Sequence, residues 1–379
     1  MALENKKIVI VGPGYPLRGG LSTFNERLCK ELNLKNNCSI LSFSLQYPDF
    51  LFPGTTQFST DPNPVDIEID TAINSVNPLN WLKVGNKYKK LKPDLIIFRY
   101  WMPFMAPALG TIARRIKSNG HTRIVAITDN VLPHEKHFYD KPFTKYFLSA
   151  VDGFVTMSRA VLADLDLFVK DKPKLYTPHP MYDNFGAGIE KQEAKKALGL
   201  DPSFDYILFF GFIRKYKGLD LLLKSFADKR LRNLPVKLII AGEYYEDSAP
   251  YKSLIDSLGL KDYVIEITDF IPNNEVSTYF SACDLVAQTY NSATQSGVTQ
   301  VAYHFNKPML VTNVGGLAEL VPNEIVGYVT DRDPLKIADA IFDFYMNKKE
   351  ETFVKNILQE KLRFTWPAMV EAIEKVSGL

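Results

Sequence analysis

Residues 206–223, YILFFGFIRKYKGLDLLL, decide the fold because they read as a strand, a short loop and an apolar helix in immediate succession. An uninterrupted apolar run such as YILFF is typical of a strand in a parallel sheet that helices cover on both faces. The pattern recurs along the chain. The other runs are KIVIVG, CSILSFS, DLIIFRY, RIVAIT and GFVTM in the first half and VKLIIAG, YVIEIT, DLVAQ, PMLVT and GYVT in the second. We therefore predict an α/β fold of doubly wound sheets.

The length and one proline-rich passage predict two domains. The chain has 379 residues, which is more than one hydrophobic core usually spans. Residues 176–188, YTPHPMYDNFGAG, are rich in Pro and Gly, and the strand–helix alternation restarts after them. We place the first domain at residues 1–180 and the second at residues 188–363.

The composition indicates an ordinary globular protein. Hydrophobic residues make up 46% and charged residues 23% of the chain, and the formal net charge of +2 gives no reason to expect nucleic acid binding. The three cysteines, Cys29, Cys38 and Cys283, lack metal-ligand spacing, so we expect reduced core thiols and no metal. The opening residues include no signal peptide or membrane span, which favours a cytoplasmic protein.

The loops that follow the strands are where a ligand is expected, because open parallel sheets bind ligands at the carboxyl ends of their strands. The first such loop, GPGYPLRGGLSTFNERL, lacks the third glycine of the dinucleotide fingerprint. Its Gly19 and Gly20 would let the backbone approach a ligand, and Thr23 with Glu26 would form a capping box. A plain glycine-rich turn before a helix is the alternative.

Two further loops of the first half carry polar and aromatic side chains. Arg99 and Trp101 lie at the carboxyl end of the third run. Aromatic faces there suit a sugar or an apolar acceptor, although such rings also pack beneath loops. The loop TDNVLPHEKHFYDK concentrates Asp129, His134 and Glu135. These groups could bind hydroxyls or transfer protons, or they could belong to a solvated loop.

The basic loop GFIRKYKG of the second half predicts an anion site. It gathers Arg214, Lys215 and Lys217 between two glycines, ahead of an apolar helix. An arginine can chelate two phosphate oxygens, and a lysine acts as a point charge. A solvated charge run is the alternative, but its position at the carboxyl end of a strand favours a diphosphate.

Two later turns of the second half could contact the same anion. The stretch NSATQSGVTQ, residues 291–300, leads from a strand into a helix whose first backbone N–H groups suit a phosphate. An ordinary N-cap through Thr294 or Ser296 would read the same way. The stretch VTNVGGLAELV pairs two glycines with Glu319, and a plain tight turn is again the alternative.

These motifs, taken in order, resemble the glycogen-synthase-like retaining glycosyltransferases of family four, which have the GT-B fold. The resemblance implies two facing Rossmann-like domains with a cleft between them, the donor bound mainly by the second and the acceptor by the first. It also implies that the final helix, near FTWPAMVEAIEKV within residues 364–379, packs back on the first domain.

The resemblance, together with the loop positions described above, assigns roles to individual residues. Arg214 and Lys217 would hold the diphosphate and serve catalysis, with His134 as a third catalytic candidate. The residues expected to contact the donor are Gly19, Gly20, Thr294, Gln295, Ser296, Gly297, Val298, Gln300 and Glu319. The residues expected to contact the acceptor are Arg99, Trp101, Asp129 and Glu135.

The sequence departs from the family at its two glutamates, which are separated by seven residues and touch the donor sugar and ribose. Counting back from Pro308 puts Ala293 and Val301 in their places, and neither side chain can accept a hydrogen bond. The nearby substitutes are Thr294, Gln295, Ser296 and Gln300. The family histidine after the strand RIVAI is replaced by Asp129, unless His134 takes its part.

We predict a retaining transferase that moves a sugar from a nucleoside-diphosphate donor to a glycan or lipid-linked acceptor, in the synthesis of cell-surface polysaccharide or glycoconjugate. No metal cofactor is expected, because the cations of the basic loop would stabilise the leaving diphosphate. One alternative is a nucleotide-sugar-binding partner subunit that has lost catalysis together with the glutamates. A phosphorylase or a sugar-nucleotide epimerase on the same fold is another.

Peripheral contact with the inner membrane surface is also open. Residues 80–94, NWLKVGNKYKKLKPD, mix Trp81, Leu82 and Val84 with several lysines. Such a mixture fits a helix on an anionic lipid surface, whereas a solvated helix would pack on the sheet through Trp81 and Val84.

Overall fold

Every apolar run named above forms a strand in the computed structural model, which describes residues 3–48, 56–59, 66–132, 138–293 and 296–379. The chain divides into two compact units. One comprises Met1–Pro180 together with Phe364–Leu379, and the other comprises Met181–Arg363. Each unit contains one parallel sheet, so the predicted α/β class is confirmed.

The sheet of the first unit has seven strands in the order β3-β2-β1-β4-β5-β6-β7. Its strands are β1 (Lys7–Val11), β2 (Asn37–Leu45), β3 (Glu68–Asn74), β4 (Leu95–Tyr100), β5 (Arg123–Thr128), β6 (Gly153–Thr156) and β7 (Lys174–Tyr176). Its helices are α1 (Gly20–Asn33), α2 (Pro78–Leu91), α3 (Ala106–Lys117), α4 (Asp140–Ala150) and α5 (Arg159–Asp166). All six residues of β4 are buried, because helices cover both faces of the central strands.

The sheet of the second unit has six strands in the order β10-β9-β8-β11-β12-β13. Its strands are β8 (Asp205–Phe210), β9 (Val236–Ala241), β10 (Val264–Ile267), β11 (Leu285–Gln288), β12 (Met309–Thr312) and β13 (Gly327–Thr330). Its helices are α6 (Lys191–Ala197), α7 (Leu219–Phe226), α8 (Lys229–Arg232), α9 (Ala249–Ser257), α10 (Val276–Ala282), α11 (Gly297–His304), α12 (Leu317–Leu320), α13 (Pro334–Met346) and α14 (Glu350–Glu360). The direction of strand addition reverses between β8 and β11. Such sheets bind ligands at this switch point.

The last helix, α15 (Trp366–Ser377), belongs to the first unit although it follows the second in the chain. It packs on α1 and on strands β5, β6 and β7. The Trp366 ring is buried and lies 5.0 Å from the Phe24 ring, between centroids. The helix therefore completes the hydrophobic layer on one face of the first sheet.

The capping box expected at Thr23 and Glu26 is wrong, because α1 begins earlier. Gly19 is the N-cap residue, with φ of 106°, and Thr23 lies inside the helix. The Glu26 carboxylate instead accepts hydrogen bonds from the Tyr15 backbone N–H at 2.9 Å and from the Ser22 hydroxyl at 3.0 Å. It stabilises the preceding loop rather than the helix terminus.

Candidate functional site

The loops after β8 and β11 are joined to each other at the carboxyl edge of the second sheet. The Asn291 backbone N–H donates to the Tyr216 carbonyl at 2.6 Å, and its side-chain amide donates to the Lys215 carbonyl at 3.0 Å. The Thr289 hydroxyl donates to the Gly218 carbonyl at 2.8 Å. Two motifs that lie some seventy residues apart in sequence thus form one surface at the switch point.

Gly218 is required at this junction for two reasons. Its φ of 65° lies in the left-handed region, which L side chains rarely adopt. A Cβ at this position would also stand 2.0 Å from the Thr289 carbonyl oxygen. The close approach of the two loops therefore depends on the missing side chain.

We expect Gly218→Ala to lower the free energy of unfolding by at least about 2 kcal/mol, because left-handed strain and the overlap with Thr289 add together. Gly259→Ala is a matched control, since Gly259 has φ of 64° and no atom within 4 Å of the added Cβ. That control should cost about 1 kcal/mol. Equal urea midpoints for the two variants would contradict the tight junction.

Lys217 is a buried cation beside this junction. Its side chain is 7% exposed, its Nζ lies 5.8 Å from the centroid of the Tyr290 ring, and a Cβ on Gly211 would stand 3.1 Å from Nζ. Among the described residues no carboxylate forms an ion pair with it. Burial and then the positive charge of Arg214 lower the Lys217 pKa from 10.5 to about 7. Burying an ammonium group costs free energy of folding unless an anion pairs with it.

Arg214 supplies a second positive charge at the rim. Its side chain is exposed, and its guanidinium carbon lies 4.9 Å above the centroid of the Tyr245 ring. Tyr245 in turn stacks on Phe212, with 4.1 Å between ring centroids. The aromatic pair therefore supports the Arg214 guanidinium on one face, and the guanidinium N–H groups stay accessible.

The amino terminus of α11 meets the basic loop. A Cβ on Gly211 would stand 3.8 Å from Val298 Cγ2, so the start of α11 and the Lys217 ammonium converge on the same point. Ser296 is the N-cap residue, but its side chain makes no capping hydrogen bond and instead lies 3.3 Å from the Tyr290 hydroxyl. The ordinary N-cap interpretation is therefore not observed for Ser296. The helix dipole adds a positive potential there.

Gln300 lies within α11 and is fully buried. Neither its Oε1 nor its Nε2 has a hydrogen-bond partner among the residues that the structure describes. Buried amides are almost always paired, so an unpaired one needs an explanation. Ala293 and Val301, at the positions of the family glutamates, are also buried and offer no side-chain oxygen.

Glu319 lies one loop further on, in the first turn of the short helix α12 after β12. Its side chain is exposed, and its backbone carbonyl accepts a hydrogen bond from Arg363 at 3.3 Å. Since β12 neighbours β11, the residue stands at the same edge of the sheet. Its donor contact stays a prediction.

In the first unit, Arg99 and Asp129 face each other rather than an open surface. Arg99 is the penultimate residue of β4, and Asp129 directly follows the neighbouring strand β5. Two hydrogen bonds of 2.6 Å join the guanidinium to the carboxylate. The Arg99 side chain is 2% exposed and lies 3.9 Å from the centroid of the Phe24 ring. The Arg99 Nη1 atom has no hydrogen-bond partner among the described residues. This geometry gives the pair a structural role and gives little support to the predicted acceptor contacts.

The other first-unit candidates also have local structural roles. The Trp101 indole donates to the Tyr47 hydroxyl at 2.8 Å, and its ring packs edge-on against Phe43. It thus packs beneath the loop, as the alternative interpretation held. Gly19 and Gly20 begin α1 at the carboxyl edge of β1. Their donor contacts stay predictions.

Four predicted residues lie outside the described part of the chain. They are His134, Glu135, Thr294 and Gln295. Among the residues that are described, no three His, Cys, Asp or Glu side chains are grouped so that they could hold a metal ion.

Sequence reasoning missed three residues that shape the site. Tyr290 packs near Lys217, Asn291 joins the two loops, and Tyr245 supports Arg214. Tyr290 and Asn291 lie in the loop that follows the predicted strand of β11, so the carboxyl-end rule could have found them. The stacking of Tyr245 on Phe212 is a tertiary contact without a local signal.

Two doubly wound units, one of them with cations at the point where strand addition reverses, are the arrangement expected of the GT-B fold. Comparison with known proteins agrees. Residues 190–359, slightly less than half of the chain, match the family model described as glycosyl transferases group 1. The predicted resemblance to glycosyltransferases is thereby confirmed.

Curated relatives and a solved structure extend this result. The D-inositol 3-phosphate glycosyltransferase of Segniliparus rotundus is 29% identical over 145 residues, 38% of this chain and 32% of that protein. The lipopolysaccharide core biosynthesis mannosyltransferase LpsB of Rhizobium meliloti is 26% identical over 205 residues, 51% of this chain and 55% of that protein. The chain thus spans only part of their length. The structure of Anabaena HepE in complex with UDP is 18% identical, covers 98% of this chain and 100% of its own, and has a TM-score of 0.74, which confirms the fold.

Proposed function

We propose that the protein transfers a sugar from a nucleoside-diphosphate donor to a glycan or lipid-linked acceptor, with retention at the anomeric carbon. The single observation that carries the proposal is Lys217, a buried ammonium without a carboxylate partner among the described residues. A diphosphate would supply the missing negative charge. Structural neighbours include a complex with UDP, which supports this ligand class.

The role of the basic residues follows from the negative charge that develops on the leaving diphosphate during transfer. As the bond between the anomeric carbon and the diphosphate oxygen breaks, negative charge grows on the leaving group. Lys217 and the start of α11 both lie close to Gly211, and Arg214 belongs to the same loop as Lys217, so these groups would stabilise that charge. The acceptor oxygen forms the new bond, and its proton passes to the departing phosphate. The protein groups act by fixed electrostatic stabilisation, which needs no reorganisation during the reaction.

The pathway belongs to the same proposal. The name of LpsB refers to lipopolysaccharide core synthesis, which supports an acceptor among cell-surface glycans or glycolipids. We place the reaction on the cytoplasmic side, where nucleotide sugars are available. Among the described residues no helix has the length and apolarity needed to cross a bilayer.

Binding of nucleoside diphosphates tests the proposal. UDP, GDP and ADP are titrated into the protein by calorimetry, and unfolding temperatures are measured in parallel. We expect one of them to bind and to raise the unfolding temperature, since a ligand that binds only the folded state stabilises it. Absence of binding by all three would overturn the proposed donor site.

We expect Gln300→Leu to separate donor recognition from stability. If the buried amide of Gln300 binds a hydroxyl of the donor, its removal should weaken binding of the nucleotide sugar about tenfold. The free energy of unfolding should not fall, because the substitution breaks no existing hydrogen bond. Affinities for the nucleotide sugar and for the bare diphosphate are compared. A loss of stability without a change in affinity would assign Gln300 to the fold alone.

A further inference from the structure

Helix α12 is a single turn of four residues, so its position depends on its neighbours. It comprises Leu317–Leu320, and an isolated turn of this length does not form stably in water. It follows β12, which places its amino end at the same edge of the sheet as the basic loop. The buried side chains of Leu317 and Leu320 attach one side of the turn to the unit. The other contacts of the turn decide where the Glu319 carboxylate stands.

Two side chains from other elements hold the carboxyl end of α12. The Tyr303 hydroxyl, on α11, donates to the Leu320 carbonyl at 2.5 Å, and Arg363 Nη2 donates to the Glu319 carbonyl at 3.3 Å. The Tyr303 hydroxyl also accepts a side-chain hydrogen bond from Arg363. The last carbonyls of a helix have no partner within it, so these bonds satisfy groups that α12 alone leaves open. We call Tyr303 and Arg363 the α12 clamp.

Arg363 is itself held in place after the end of α14. Its Nε lies 2.6 Å from Glu360 Oε1. Two residues before it, Lys361 Nζ donates to the side-chain oxygen of Asn306 at 2.8 Å, just after α11. The guanidinium therefore has a defined position against α12, although the Arg363 side chain is 37% exposed.

The clamp holds the backbone of α12 and leaves the Glu319 carboxylate available. Both of its bonds to α12 end on carbonyl oxygens. The Glu319 side chain is exposed, and within the described ranges its carboxylate forms no ion pair or hydrogen bond. Tyr303 is fully buried and follows Gly297, the first residue of α11, by six residues, which is about 9 Å along the helix. Tyr303 can therefore affect a ligand at the anion site only through other residues.

We propose that Arg363 and Tyr303 are positioning residues for the donor, because they fix α12 so that the Glu319 carboxylate binds a hydroxyl group of the nucleotide sugar. A diphosphate would repel this carboxylate, whereas a hydroxyl of the sugar or the ribose can donate to it in a charge-assisted hydrogen bond. A misplacement of about 1 Å in such a contact can cost up to about a hundredfold in rate, so the clamp matters for function. The proposal rests on the proposed function, since it needs a donor at the basic loop.

Calorimetric titration tests the clamp. The probes are UDP-glucose, GDP-mannose and ADP-glucose, and the one that binds most tightly is used for every variant, together with its bare diphosphate. We expect Glu319→Gln to weaken binding of the nucleotide sugar about tenfold, since it removes a charge-assisted hydrogen bond. Arg363→Gln and Tyr303→Phe should each weaken it about fivefold, because Glu319 is then less well placed. An equal loss for the bare diphosphate assigns the hydroxyl to the ribose, and a loss for the nucleotide sugar alone assigns it to the sugar.

A double-mutant cycle shows whether Arg363 acts through Glu319. Adding Arg363→Gln to Glu319→Gln should weaken binding by no more than about twofold further, because the contact that Arg363 positions is already lost. Arg363→Lys keeps a donor for the Glu319 carbonyl and should bind within about twofold of the wild type. Arg230→Gln is the matched control and should leave the affinity unchanged, since it removes an exposed arginine of the same unit that pairs with Asp228 and Asp339.

The unfolding temperature separates positioning from folding. Arg363→Gln should lower it by no more than about 4 °C, because a partly exposed ion pair contributes little to stability. Full affinity in Glu319→Gln or in Arg363→Gln, losses that multiply in the double variant, or an equal loss in Arg230→Gln would each overturn the clamp. In each of these cases the proposed function would stand, provided that the wild type binds the probe and Arg214→Ala does not. A wild type that binds none of the three probes would overturn the proposed function and the clamp together.

Discussion

Replacing Arg214 by alanine should weaken binding of the cognate nucleoside diphosphate about a hundredfold and leave the fold intact. The guanidinium is exposed and is held by Tyr245 rather than by a carboxylate, so its removal leaves no buried charge unpaired. A charge-assisted pair with a phosphate contributes about 1.5–3 kcal/mol, which corresponds to the expected loss. Calorimetric titration gives the affinity, and the unfolding temperature without ligand gives the stability.

Lys229→Ala is the matched control for Arg214→Ala. Lys229 is exposed and begins α8, which precedes β9 and so lies at the amino edge of the sheet, away from the site. It removes one positive charge from the same unit and should leave the affinity unchanged. If both variants weakened binding equally, the effect would come from net charge and not from a diphosphate contact.

Replacing Lys217 by methionine should have the largest effect of all, because it should abolish binding and stabilise the protein at once. Removing one member of a buried charge pair costs about 3–5 kcal/mol, so the diphosphate affinity should fall at least a hundredfold. Without ligand, however, Lys217 is buried and lacks a carboxylate partner within the described residues. Methionine fills a similar volume without charge, so the free energy of unfolding should rise by about 2 kcal/mol at neutral pH.

The lowered pKa of Lys217 makes both the stability of the wild type and its diphosphate affinity depend on pH. The pKa of Lys217 is about 7 in the folded protein and 10.5 as its ordinary value, so between these pH values the unfolded chain binds more protons. The wild-type stability therefore rises with pH across this window, and the advantage of Lys217→Met shrinks. Diphosphate affinity should fall as pH rises above about 7, because binding then requires Lys217 to take up a proton. A wild type whose affinity stays constant from pH 6 to about pH 9 would contradict this account.

Much of the fold could be predicted because central strands of parallel sheets are apolar on both faces. The run LIIFRY of β4, for example, is buried at every position. Strands β3 and β7 were missed because both lie at edges of the first sheet. β3 reads EIDTAIN, in which Ile73 is the only buried residue, and β7 has only three residues. Edge strands carry no continuous hydrophobic signal.

The part of the site that the sequence predicts is the part that lies on loops at the carboxyl ends of strands. The carboxyl-end rule selects the loops after β8 and β11 and hence Arg214, Lys217 and Ser296. It cannot state that Lys217 is buried or that Arg214 rests on Tyr245, because those features depend on tertiary packing. Nor could the sequence show that Arg99 and Asp129, thirty residues apart, neutralise each other at the ends of two neighbouring strands.

The most direct measurement of the central claim is release of nucleoside diphosphate from the cognate nucleotide sugar, in the presence and absence of a glycolipid acceptor extract. The account predicts release that depends on the extract, is lost in Arg214→Ala and in Lys217→Met, and persists in Lys229→Ala. It would be contradicted by a wild type that binds the nucleotide sugar tightly and releases no diphosphate with any extract.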